Sequence, residues 1–177
     1  SQRFEMTSDM DHAQVLNKVL KADIQNIRST LDELDLNAFE TAIEMIIQAR
    51  NIYVMGLRAS APIAEFFAHY LKFIFPNVRV VTSGVSDVFE QLARIGEGDL
   101  LIGLSFPRYT ARSIEAMEFA RSRGAELIAI TDGPLSPLHS TANICLMAKS
   151  DMSSFVDSFA APLSLINALI VALGQRR

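Results

Sequence analysis

"DLLIGLSFPRYTARSIEAMEFARSRGAELIAIT" spans residues 99–131, and its reading decides the fold. A continuous apolar run stops at Ser105, an amphipathic stretch follows, and a second apolar run ends at Thr131. Apolar runs that do not alternate are expected of strands buried on both faces, and a helix between two of them makes the pair parallel. The same alternation extends in both directions. Upstream, "NIYVMG" ends at Gly56 and precedes an amphipathic stretch over residues 61–75, then "VRVV" and "VSDVFEQLARI". Downstream come the turn-rich "DGPLSPL", the run "NICLMA" and a tail helix from Phe155 to Leu173. Five strands alternating with helices predict an α/β fold, a five-stranded parallel sheet sandwiched by helices, for which the common doubly wound order 2-1-3-4-5 is expected.

Residues 11–34 differ in character. Val15, Leu16, Val19, Leu20, Ile24, Ile27, Leu31 and Leu34 recur at helical spacing, and the residues between them are polar. Asp35 or Asn37 can cap a second helix carrying Phe39, Ile43, Ile46 and Ile47. The expected organisation is a helical leader over residues 1–36 and one binding domain over 37–177.

Composition narrows the function classes. The chain has 177 residues, half of them hydrophobic, which suits one domain with a sizeable core. A net charge of −4 offers no basic surface for a nucleic acid. Cys145 is the one cysteine, so no intramolecular disulfide and no multi-cysteine metal site can form; inside "NICLMA" it reads as a small buried hydrophobe. His12, His69 and His139 are scattered without metal-ligand spacing, and neither a metal nor a cofactor is expected. The opening "SQRFEMTSD" lacks the basic and apolar regions of a signal peptide and has no initiator Met, as expected of a processed form or a fragment. Asp157, Pro162 and Asn167 interrupt the apolar tail, which favours a buried or interface helix over a membrane span. A cytoplasmic protein is expected.

In an open α/β sheet, ligands bind beyond the carboxyl ends of the strands where strand order reverses. That places the crevice between "GLRAS" (residues 56–60) and "SFPRYT" (residues 105–110). Each loop carries an arginine and hydroxyls, and each opens a helix whose unpaired N–H groups attract anions. Arg58 and Arg108 can form charge-assisted bonds with an anion, and Ser60, Ser105 and Thr110 can donate to its oxygens. Taken one by one, Ser60 and Thr110 also read as plain helix caps, worth about 1 kcal/mol each. Two arginines at matching strand ends are harder to ascribe to capping. Glu115 and Glu118 lie about a turn beyond the loop and read as a solvated face; no dinucleotide-binding glycine loop is present.

These segments resemble the SIS (sugar isomerase) domain, a phosphosugar-binding α/β fold. Its pattern is Gly-x-x-x-Ser after the first strand, Ser-x-Ser-Gly-x-Thr after the third and Thr…Ser-x-Leu after the fourth. Gly56 and Ser60 match the first element, Ser105 and Thr110 the outer positions of the second, and Thr131, Ser136 and Leu138 the third. Pro107 and Arg108 replace the inner Ser-Gly, and Tyr109 stands where isomerases often carry a glutamate. That "FPRYT" loop is similar to the effector domains of RpiR-type transcription regulators, and the leader is similar to the helix following their DNA-binding domain. The resemblance implies a sensor of a phosphorylated sugar or sugar acid in a bacterial regulator of sugar metabolism. It further implies that DNA is contacted only through a helix-turn-helix absent from this sequence. The apolar stripes of the leader and of the Phe155–Leu173 tail exceed what one small sandwich needs, so a homodimer or larger homo-oligomer is expected. Ser60, Ser105 and Thr110 would hold the phosphate, Arg58 and Arg108 would neutralise it, and Tyr109 would pack on the sugar or close the site.

Two other readings stand beside this one. A phosphosugar isomerase needs a base, and Tyr109, with an ordinary pKa of about 10, is a poor one at neutral pH. Glu65 and His69, one turn apart after the first loop, are the nearby pair. A purely structural oligomerisation domain would leave the crevice empty.

Overall fold

The computed structural model describes residues 8–152 and 157–176; the opening "SQRFEMT" and Phe155, where the tail helix was expected to start, lie outside them. Helix α1 (His12–Glu33) opens on Asp11, whose carboxylate accepts the Gln14 N–H at 2.8 Å while the Gln14 side chain accepts the Asp11 N–H at 2.9 Å. This reciprocal cap satisfies two of the donors that every helix start leaves unpaired. Helix α2 (Leu36–Gln48) is capped by Asp35, which takes the N–H groups of Asn37 and Ala38, so Asn37 is already inside the helix.

The five expected strands form: β1 (Ile52–Gly56), β2 (Val78–Val81), β3 (Leu100–Leu104), β4 (Glu126–Thr131) and β5 (Ile144–Met147). All pairs are parallel, in the order β2-β1-β3-β4-β5. Every residue of β1 and β3 is buried, because helices cover both faces. Ile52, Val54, Leu100 and Ile102 point to the layer that holds α2, α3 (Ala61–Ile74) and α6 (Ala160–Arg176), where Ile46, Phe67, Leu71 and Leu169 meet them. Tyr53, Met55 and Leu101 point to the layer of α4 (Val88–Gln91) and α5 (Ala111–Ser122), against Leu92, Ile95 and Met117. Gly103 lets α5 lie close: a Cβ there would sit 2.5 Å from the Met117 Sδ.

Two elements depart from the periodicity. "VSDVFEQLARI" supplies only the single helical turn of α4, because the Leu92 N–H closes onto Val88 and Glu90 and the Gln91 side chain turns back to the carbonyls of Thr82 and Ser86. Helix α1 is oriented against its apolar stripe. Its buried residues are Asn26 and Thr30, whereas Leu16, Leu20, Ile24, Ile27 and Leu31 are exposed. Polar bonds hold it beside its packing against α6. Asn26 Nδ2 donates to the Asp151 carbonyl at 2.6 Å, the Lys149 N–H donates to Thr30 Oγ1 at 3.0 Å, and the Ser158 hydroxyl donates to Asp23.

Asp99 anchors the amino end of β3. Its side chain is 1% exposed and accepts from Arg50 Nε at 3.2 Å, Asn51 Nδ2 at 2.9 Å and the Gly96 N–H at 3.0 Å. Burial acts to raise its pKa, but the bonds from Arg50, Asn51 and Gly96 outweigh it and hold the carboxyl below its ordinary range. Asp99→Asn is expected to lose about 1–3 kcal/mol in urea unfolding at neutral pH. A group with a depressed folded pKa stabilises above its unfolded pKa and loses that contribution as pH falls, so the deficit should narrow below about pH 4.

Candidate functional site

Strands β1 and β3 are hydrogen-bonded neighbours, with Gly56 beside Leu104, and both loops of interest leave the same end of the sheet. The chain turns to β2 on one side and to β4 on the other, so the loops diverge and leave a crevice. Gly56 permits the first of them. A Cβ at this position would lie 2.7 Å from the Ala64 Cβ and closer still to the Ser60 carbonyl oxygen. The start of α3 therefore rests directly on the strand end, which ties the glycine to the serine four residues later.

Both loops then bend at their arginines. Arg58 has φ +54° and Arg108 φ +66°, the two non-glycine residues with positive φ among the described residues. The left-handed region crowds Cβ against the next carbonyl, at a cost of roughly 1–2 kcal/mol per residue. Strain of this kind collects at ligand sites, where the surrounding fold holds it in place. Arg58, Ser60, Ser105, Arg108, Thr110 and Asp157 line one cleft of about 160 Å³, and Phe106 and Phe159 stack edge to face at its apolar side with centroids 5.7 Å apart. Arg58, Arg108 and Thr110 also border a wider, more open cleft of about 590 Å³ that reaches Ser83, Tyr109 and Arg112.

The expected residues divide by what their polar groups do. Ser60 is buried and starts α3, yet its hydroxyl makes no capping bond. Among the described residues, no hydrogen-bond partner engages the Ser105 hydroxyl or the Arg58 guanidinium. Thr110 does act as a cap: its Oγ1 accepts the Ser113 N–H at 3.1 Å and lies 2.7 Å from the Ser113 hydroxyl. Arg108 is paired, donating from Nη2 to Asp157 at 3.1 Å. Tyr109 turns toward the β4 side and donates its hydroxyl to Asp132. Burial, then the Asp132 bond and charge, push the phenol up to about 12, so it stays protonated at neutral pH.

The third motif does not reach the cleft. Thr131 and Ser136 are buried and bonded to each other at 2.8 Å, and the Leu138 N–H donates to Ser136 at 3.3 Å. Thr131 also donates to Asp132 at 3.3 Å, so this motif steadies the carboxylate that holds Tyr109. Glu65 and His69 lie exposed on α3 and line neither cleft. Asp157 and Phe159 escaped the sequence reading, in which Asp157 figured only as a charge interrupting an apolar tail. No local pattern could have brought it to Arg108. A further cleft of about 360 Å³ lies between the end of α1 and the loop after β4, but Glu33, Asp35 and Asp132 line it, an unfavourable setting for an anion.

A family model for the SIS domain matches residues 45–172. The chain is 33% identical over 167 residues to the HTH-type transcriptional regulator HexR of Pseudomonas aeruginosa, covering 90% of this chain and 57% of that protein. It is 28% identical over 179 residues to an uncharacterized HTH-type transcriptional regulator of Caldanaerobacter subterraneus, covering 97% and 62%. The chain thus spans about three fifths of the length of these relatives. The sugar isomerase domain of an RpiR transcription factor from Sphaerobacter thermophilus superposes with a TM-score of 0.88 at 31% identity, over 92% of this chain and 91% of that one. The Vibrio vulnificus NanR protein complexed with ManNAc-6P shares the fold, with a TM-score of 0.77 at 20% identity over 97% and 65%.

The left-handed turn at Arg58 has a direct test in paired variants. Arg58→Gly should unfold at higher denaturant than Arg58→Ala, by about 1 kcal/mol, since alanine keeps the Cβ that the turn penalises. Equal stability of the two would show that the turn carries no strain.

Proposed function

The chain belongs to the SIS-domain family, and we propose that it is the effector-binding part of an RpiR-type transcription regulator, sensing a phosphorylated sugar or sugar acid at the ends of β1 and β3. One observation carries this proposal: two strained arginine turns and two hydroxyls without partners meet in a single cleft. Ser60 and Ser105 would donate to phosphate oxygens, and the guanidinium forks of Arg58 and Arg108 would balance its charge. Thr110, committed to capping, would set the start of α5 beside the anion. Tyr109, fixed by Asp132, would form a wall of the wider cleft toward the sugar.

Residues 1–36 would act as a leader and 37–177 as the binding domain. The names of the matched relatives support a DNA-binding helix-turn-helix elsewhere in the full protein, and with it a cytoplasmic location and a role in sugar metabolism. Among the described residues, no helix is long and apolar enough to cross a membrane. Catalysis is not proposed. Aldose–ketose isomerisation needs a base within hydrogen-bond reach of the substrate. Glu65 and His69 are not at the cleft, the Tyr109 phenol holds its proton, and the carboxylate that does line it, Asp157, is engaged by Arg108.

A homodimer or larger assembly is part of the same proposal. Leu16, Leu20, Ile24, Ile27 and Leu31 form a continuous exposed stripe, larger than a monomer comfortably presents to water. Ile24→Glu should shift the sedimentation of the protein toward the monomer; an unchanged species would exclude α1 as the contact between copies. For the ligand, a thermal-shift screen of phosphorylated sugars and sugar acids should give at least one stabilising hit without turnover. Arg58→Ala should weaken that hit about 10- to 100-fold, the loss of one charge-assisted bond. Unaltered affinity in this variant would remove the cleft as the binding site.

A further inference from the structure

Asp157 enters the cleft from the segment that precedes α6, and none of the three motifs accounts for it. Its side chain is 13% exposed, against 70% for Arg108, so it is the acid that is enclosed and the arginine that reaches inward to it. A carboxylate on a cleft-lining guanidinium occupies the place a ligand anion needs. Two anions so close repel one another, the more so in a partly desolvated cleft. The neighbouring residue links this point to α1. Ser158 is 4% exposed and donates to Asp23, while Asn26 and Thr30 of the same helix hold Asp151 and Lys149. The residue next to the acid is therefore bonded to α1.

We propose that Asp157 is a resident counter-ion that the phosphate of a ligand displaces from Arg108, and that its displacement passes through Ser158 to α1. This rests on the anion-binding function of the cleft proposed above. A ligand must therefore outcompete the resident acid. A carboxylate exchanges one carboxylate for another at Arg108 and gains little. A phosphate monoester brings up to two charges and three acceptor oxygens, enough to engage Arg58 and the serines as well. The site therefore takes phosphate esters in preference to the carboxylates of sugar acids. An α1 tied to the segment before α6 by polar bonds is suited to respond, since those bonds can be exchanged for water.

NMR titrations with inorganic phosphate and with acetate test the displacement. The unmodified protein should bind phosphate more tightly than acetate. Asp157→Asn should tighten phosphate by about tenfold, within the usual range of coupling between competing interactions, and should tighten acetate by no more than that. Asp157→Ala should do the same, so that a folding defect in one variant does not decide the outcome. Phosphate affinity unchanged or weakened in both variants overturns the counter-ion. Hydrogen–deuterium exchange over residues 20–30 should rise when phosphate is added and should already be raised in ligand-free Asp157→Asn. An α1 that does not respond overturns the transmission. Arg58→Ala separates the two proposals: phosphate binding that survives it moves the anion out of this cleft altogether, whereas binding that is lost while Asp157→Asn gives no gain defeats the counter-ion alone.

Discussion

Strands β1 and β3 lie side by side in a parallel sheet while the chain leaves them in opposite directions, and the cleft at their ends depends on that one constraint. Parallel neighbours end at the same edge, so the segments that follow them must emerge together whatever their separation in sequence. Diverging connections keep that space from being filled by a continuing layer. The fold opens a crevice here, and the residues at the two strand ends become its walls. Close packing makes the arrangement stiff. With no room for a Cβ at Gly56, and Met117 pressed against Gly103, α3 and α5 have little freedom to shift.

Rigidity at the strand ends allows the fold to hold conformations that an isolated loop would avoid. Arg58 and Arg108 both sit in the left-handed region, where an ordinary side chain is disfavoured. A support reaches the second loop from the β4 side: Thr131 and Ser136 brace each other, Thr131 steadies Asp132, and Asp132 takes the hydroxyl of Tyr109. The third motif is thus a brace behind the cleft rather than part of its lining.

Helix α1 obeys a different logic. The rule that an amphipathic helix turns its apolar face to its own core fails here, because Asn26 and Thr30 find backbone partners at Asp151 and Lys149 on the adjacent segment. Satisfied buried polar groups make that orientation tenable, and the apolar stripe is left for another surface. Periodicity identified the helix and its stripe. It carried no information on which face would be covered from within.

Other elements were legible to different degrees, for physical reasons. The strands could be read because burial on both faces demands unbroken apolar runs, as in "IYVMG" and "LLIGL". The helix after β2 could not be read to its full extent, because Gln91 prefers the backbone of Thr82 and Ser86, a contact no periodicity records. Ser60 and Thr110 looked alike as caps, and only the folded structure separates the one that caps from the one that does not.

The sequence by itself determined the order of elements and where each strand ends, since these follow from hydrophobic pattern and local turn chemistry. With the strand order common to doubly wound sheets, that brought Arg58, Ser60, Ser105, Arg108 and Thr110 to one end of the sheet. Tertiary structure alone decided that Arg108 would meet Asp157, that Tyr109 would meet Asp132 and that α1 would lie on its polar face. Those outcomes depend on which distant surfaces close packing presses together, and a linear pattern does not encode that distance.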